Sequence, residues 1–154
     1  MNGKGALLAL ILLAGMGGGA AAADTTISLH NAWIADGPPQ VKRRAGYVKI
    51  DNTGPTDVRL KEVTSPEFGR IEIHHSIVEN GIAKMLYRRS VTIPANGHLS
   101  FSPGGYHLMF FNARKPLEEG ASVPLTFTFN NGVIIHTEAK IKKLQDAAIP
   151  PATE

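Results

Sequence analysis

Apolar and polar residues alternate along most of this chain in short runs, without the 3.6-residue period of a helix. The clearest run is Val123 to Asn130, where Val123, Leu125, Phe127 and Phe129 share one side of an extended segment. Similar runs cover 25–33, 46–52, 58–64, 70–78, 82–89, 98–102, 106–111 and 133–141. Turn residues separate them, among them Gly37-Pro38-Pro39, Asn52-Thr53-Gly54-Pro55, Ser65-Pro66, Pro103-Gly104-Gly105 and Asn131-Gly132. Val91-Thr92-Ile93-Pro94 reads as a connection leading to Asn96-Gly97. Trp33, the single tryptophan, is expected to anchor the core. Short strands with turn signals every 8–12 residues or so predict an all-β sandwich or barrel. No internal repeat and no second domain are visible.

Two of these runs carry unusual side chains. Asn80-Gly81 between apolar runs is a strong hairpin signal. A two-residue turn there sets Glu79 opposite Ile82, Ser76 opposite Met85 and His74 opposite Tyr87. Those last four residues then share one face, because side chains alternate with period two. His74 and Met85 become diagonal neighbours, and His75 points to the other face. In 106–111, His107 and Met109 share a face while Tyr106, Leu108 and Phe110 point into the core. A methionine opposite the aromatics of its own strand is either a partly exposed hydrophobe or a ligand.

Composition narrows the chemistry. Residues 1–23 read as a signal peptide, with Lys4, the apolar run Ala6 to Ala14, and Ala21-Ala22-Ala23 before Asp24. The apolar run is shorter than the roughly 20 residues a membrane span needs. Cleavage near Ala23 is therefore expected, with export to the periplasm and no stable membrane insertion afterwards. No cysteine follows the apolar run, so a lipid-modified N-terminus is not expected. Residues 24–144 form the expected domain, and 145–154 a flexible tail with Pro150 and Pro151. Loss of Lys4 leaves 15 basic against 13 acidic residues, a net of +2. The one dense basic run, Lys42-Arg43-Arg44, has no interleaved aromatics, and nucleic acid is a poor fit.

The sequence contains no cysteine. That removes disulfides, thiolate catalysis and any blue-copper centre with a thiolate ligand. A metal site must draw on His, Met and carboxylates. Four of the six histidines, and both methionines outside the N-terminal segment, lie between Ile71 and Met109. Thioether sulfur is soft and imidazole borderline, so a His₂Met₂ set of His74, Met85, His107 and Met109 suits Cu(I). Each of these residues alone also fits packing or surface. His30, His98 and His136 read as surface or hydrogen-bonded polar residues, as does His75, which would be the one candidate for an added Cu(II) nitrogen. No Ser-His-Asp arrangement is visible, and catalysis is not expected.

The spacing is His, ten residues, Met, twenty-one residues, His, one residue, Met. Around it stand Gly46-Tyr47, Asn52-Thr53-Gly54, Ile93-Pro94-Ala95 and Pro103-Gly104-Gly105-Tyr106-His107-Leu108-Met109. From about Ala32 to Lys140 the chain resembles the periplasmic PCu(A)C copper chaperones. The resemblance implies a cupredoxin-like Greek-key β-sandwich. It implies one exposed Cu(I) per chain, held by His74, Met85, His107 and Met109. It further implies delivery to the Cu(A) site on cytochrome c oxidase subunit II, directly or alongside a Sco-type thiol protein. A monomer is expected. Copper storage or resistance, and a metal-free exported interaction module, are the alternatives. Family members often carry Met where Ser76 stands, and extra methionines where Val78 and Ala83 stand. Some also have a His- and Met-rich tail; residues 145–154 hold neither type.

Overall fold

The computed structural model describes residues 26–38 and 41–146. The expected signal segment and the end of the tail from 147 lie outside the described residues. Ten strands make up the fold: β1 (Ile27–Ala35), β2 (Arg43–Asn52), β3 (Val58–Thr64), β4 (Phe68–Glu79), β5 (Ile82–Arg88), β6 (Val91–Ile93), β7 (Gly97–Phe101), β8 (Tyr106–Ala113), β9 (Ser122–Phe129) and β10 (Ile134–Lys142). A single 3₁₀ turn, Leu144–Asp146, follows.

The strands form one continuous hydrogen-bonded ribbon in the order β5-β4-β8-β7-β2-β1-β10-β9-β3-β6. Strand β2 is long enough to serve two neighbours. Its first half pairs with β8 from Arg43↔Phe111 to Gly46↔Leu108, and its second half with β7 from Val48↔Phe101 to Asn52↔Gly97. The ribbon curls over itself, so that β3 lies against β4 and β6 against β7 and β2. The inward faces close on one core, where Ile34, Ile50, Leu60, Ile93, Phe110 and Phe127 are fully buried. Each such side chain contributes about 1.5–3 kcal/mol of burial relative to exposure. The predicted alternation in β9 holds, with Val123, Leu125, Phe127 and Phe129 all buried. Pro124 is tolerated there because β9 pairs only with β10 at that point; its register with β3 starts at Thr126.

Two expectations need correction. Trp33 is buried, but not in the main core. The β1–β2 register shifts between His30 and Trp33, and Asn31 takes a left-handed conformation with φ 53°. This bulge moves the alternation by one residue. Ile34 therefore enters the core, and Trp33 packs against Tyr47 on the other face, with ring centroids 4.5 Å apart and planes tilted at 39°. Val91–Ile93 is a strand, not merely a connection: it pairs with β3 from Val58↔Ile93 to Leu60↔Val91. Three residues are too few for alternation to announce a strand.

Gly46 shows how tightly β2 and β8 are packed. A Cβ at this position would collide with the ring of Phe110 and come within 3.3 Å of the Trp33 carbonyl. Only glycine lets that aromatic approach the strand so closely.

Candidate metal centre

The β4–β5 hairpin forms as its Asn-Gly pair predicts. Asn80 and Gly81 both have positive φ, 53° and 75°, as a type I′ turn requires. The register follows: Glu79↔Ile82, Ser76↔Met85 and His74↔Tyr87. On the other side of β4, strand β8 pairs antiparallel, with His74↔His107 and Glu72↔Met109. Partners across a ladder project to the same face. One face of three adjacent strands thus carries His74, Met85, His107 and Met109. The two histidines are direct neighbours. Met85 lies one diagonal step from His74 toward the hairpin tip, and Met109 one diagonal step in the opposite direction, distances of roughly 7–8 Å between backbones.

Their surroundings differ. His107 is only 5% exposed, and Met109 is half-buried beside Ala45 of β2. Met85 is 54% exposed, on the terminal strand of the ribbon. The His74 and His107 rings meet edge to face, with centroids 5.7 Å apart, and Tyr87 and Phe111 flank His74 at 6.2 and 6.4 Å.

Hydrogen bonding fixes which ring nitrogens are available. His107 Nδ1 lies 3.1 Å from the Gly105 carbonyl oxygen, which can only accept, so Nδ1 carries the proton. His74 Nε2 lies 2.8 Å from Glu72 Oε2, again an acceptor, so Nε2 carries the proton. The remaining nitrogens, His74 Nδ1 and His107 Nε2, are buried without a hydrogen-bond partner in the protein, as is His75 Nδ1 on the opposite face. Buried polar atoms are rarely left so. In the neutral ring each is a lone pair, the form a metal requires. Burial, supported by the nearby His74 and His75 rings, holds His107 below the usual histidine range, although its bond to Gly105 opposes this. Among the described residues, no group of three or more His, Asp or Glu side chains is arranged to hold a metal ion. The thioethers of Met85 and Met109 on this face could complete the donor set, and such donors fit a soft monovalent ion.

Glu72 was not singled out from the sequence. An acidic residue two positions before a histidine on a strand looks like any solvated side chain. Here it bridges His74 and Arg70, whose Nε lies 3.0 Å from Glu72 Oε1. His75 does project to the opposite face, as the register requires, but it is not a surface residue. It is half-buried and stacks flat on Tyr106, with centroids 4.0 Å apart and planes at 10°. The alternation shows which face a ring takes, not what covers it. His30 bonds Asp51 and Ser28, and His136 bonds Thr126.

Solved structures share this architecture. The Cu(I) form of DR1885 from Deinococcus radiodurans is 26% identical, with a TM-score of 0.61 over 74% of this chain and 76% of that one. The apo PCuAC domain from PmoF1 is 23% identical, with a TM-score of 0.66 over 77% of this chain and 94% of that one. The copper-bound PCuAC domain from PmoF2 is 18% identical, with a TM-score of 0.66 over 77% and 93%. The fold is thus the cupredoxin-like β-sandwich of the PCuAC domains. The family described as "Putative lipoprotein LpqE-like" matches residues 27–141, and the chain belongs to it. A relative from Leifsonia xyli subsp. xyli, Lxx21020, bears the same lipoprotein description and is 27% identical over 122 residues, 79% of this chain and 72% of its own. RP573 of Rickettsia prowazekii is 30% identical over 93 residues, 60% of this chain and about half (51%) of its own length.

Proposed function

We propose that this protein is an exported copper metallochaperone. It binds one Cu(I) ion through His74 Nδ1, His107 Nε2 and the thioethers of Met85 and Met109. The single observation that carries this reading is that two of the three buried, unpartnered imidazole nitrogens, His74 Nδ1 and His107 Nε2, belong to residues directly paired across neighbouring strands, on the face that also carries Met85 and Met109. A metal-free interaction module leaves both atoms unexplained. The Cu(I) form of DR1885, 26% identical, supports the choice of ion.

The donor set is uncharged, so the ion keeps its positive charge and is not locked in by carboxylates or thiolates. The exposed Met85 thioether is the ligand an incoming acceptor can displace first. This suits transfer better than catalysis or long-term storage. The recipient in this reading is the Cu(A) site of cytochrome c oxidase subunit II, reached directly or alongside a Sco-type protein. Export agrees with the lipoprotein description of the relatives; with no cysteine to carry a lipid, this chain in our reading is free in the periplasm once residues 1–23 are removed.

The test is an NMR titration of the domain with Cu(I) under reducing conditions. Saturation at one equivalent is expected, with shifts confined to the Met85 and Met109 methyls and the His74 and His107 rings. Shifts elsewhere, or none, defeat the ligand set. Delivery is tested by mixing the loaded protein with the reduced apo Cu(A) domain and separating the two. Copper that stays with the donor rejects that recipient.

A further inference from the structure

We propose that Glu72, held by Arg70, is a positioning residue that commits His74 to binding metal through Nδ1 and keeps a carboxylate out of the donor set. The proposal rests on the Cu(I) reading above for its metal readouts, but its first readout needs no metal.

Glu72 stands on the same face as His74, two residues earlier in β4, and directly across from Met109. Its carboxylate touches one of the four candidate ligands, and both of its oxygens are engaged. Oε2 accepts from His74 Nε2 at 2.8 Å, and Oε1 forms an ion pair with Arg70 Nε at 3.0 Å. Arg70 is itself held, with its guanidinium 4.4 Å above the Phe111 ring. Phe111 lies on the same face of β8 as His107 and Met109, and 6.4 Å from His74. The chain Phe111–Arg70–Glu72–His74 therefore closes on itself around the histidine. Glu72 is only 23% exposed on its side chain and His74 only 14%, so water competes weakly for their bond.

Two consequences follow from the chemistry. A carboxylate can only accept from the imidazole, so the proton stays on Nε2 and the lone pair on Nδ1. Outer partners of this kind set ligand orientation and basicity. In addition, His74, His107 and Glu72 together would be a nitrogen–oxygen set suited to Zn(II) or Cu(II). With both oxygens occupied, no such three-residue set is arranged among the described residues. Arg70 thus favours the soft, monovalent ion by holding the hard ligand away.

The experiment uses the apo-protein first. Long-range ¹H–¹⁵N spectra should show His74 as a single Nε2–H tautomer. Glu72→Leu should give a tautomer mixture and weaken Cu(I) binding by about 10–100-fold in a chelator competition. Glu72→Gln, which still offers an amide oxygen, should keep the tautomer and lose less affinity than the leucine variant. Arg70→Gln should raise Zn(II) affinity relative to Cu(I) by roughly tenfold or more, a shift an outer-shell change can produce. A single unchanged tautomer in Glu72→Leu overturns the positioning role, whatever the metal result. An unchanged Zn(II) to Cu(I) ratio in Arg70→Gln overturns the exclusion role. If wild-type protein binds no Cu(I), the functional reading fails, and the tautomer measurement still decides for or against the Glu72–His74 contact.

Discussion

His74 and His107 are direct partners across the β4–β8 ladder, with ring centroids 5.7 Å apart and planes at 66°. Each has one nitrogen engaged and one free, and the engaged atoms differ: Nε2 in His74 and Nδ1 in His107. The two free atoms are consequently not interchangeable. Replacing either histidine by Ala should weaken Cu(I) binding by at least the 10–100-fold that loss of an outer-shell partner costs. His107→Ala should also destabilise the apo-protein, because that ring is 5% exposed and fills a packed site. Equal Cu(I) affinity in wild type and both variants, measured against a chelator, would remove the histidines from the site.

The methionines separate binding from packing. Met85 is 54% exposed on the end strand, so Met85→Ala should change folding stability by no more than about 0.5 kcal/mol. Met109 is half-buried between β4 and β2, and its loss should cost about 1 kcal/mol or more. Both variants should nonetheless lose Cu(I) affinity. Paired urea melts and chelator titrations check this. A Met85→Ala protein with wild-type affinity would leave the ion with three ligands and displace the exchange argument from that residue.

Most of this arrangement was readable from short-range rules. The Asn80-Gly81 turn fixes the hairpin register, and with it the face shared by His74 and Met85. Period-two alternation does the same for His107 and Met109. What could not be read has local physical causes. The left-handed Asn31 bulge put Trp33 on the unexpected face. Val91–Ile93 is too short to show a period. The flat stack of His75 on Tyr106 and the bridge from Glu72 to Arg70 depend on side-chain conformations across strands. The direct pairing of His74 with His107 needed the β4–β8 register, which no turn specifies, since 27 residues, including all of β5, β6 and β7, lie between Glu79 and His107.

Acid should loosen the apo-protein in a defined window. Burial holds both His107 and His75 below the ordinary histidine value of 6.5, with Arg88 adding to the effect at His75. Below that value the unfolded chain takes up protons that the folded rings resist, so stability falls as pH drops through about 6.5. Above it the two states bind protons equally and stability is flat from this source. Asp36 and Asp51 act lower. Arg44 and Lys49, respectively, hold them below 3.8, and their contribution is lost only as pH falls beneath that value. Urea midpoints should therefore decline between pH 7.5 and 5. His75→Phe keeps an aromatic against Tyr106 and should flatten part of that decline. An identical slope in this variant would show that His75 titrates normally.

Among the described residues, Asn52 is the most deeply buried polar side chain, at 1% exposure. Its Nδ2 donates toward the carbonyls of Thr56 at 2.8 Å, Pro94 at 3.1 Å and Ile93 at 3.3 Å. Its Oδ1 accepts from the Gly54 amide at 3.0 Å. One side chain thereby ties the end of β2 to the following turn and to the end of β6. Asn52→Ala would leave a buried amide and several carbonyls without their partner, at a cost of about 1–3 kcal/mol for each group left unsatisfied. Asn52→Asp keeps the acceptor for Gly54 but turns a carboxylate oxygen toward three carbonyls, so it should be at least as destabilising as alanine. Gly54 sits 3.1 Å, at an added Cβ, from Asn52 Oδ1, so a bulkier residue there should strain the same clamp. Urea melts should rank wild type above Asn52→Ala, and Asn52→Ala at or above Asn52→Asp. An alanine variant within about 0.5 kcal/mol of wild type would mean that water replaces the amide at no cost, and that this clamp does not hold the two ends of the sandwich together.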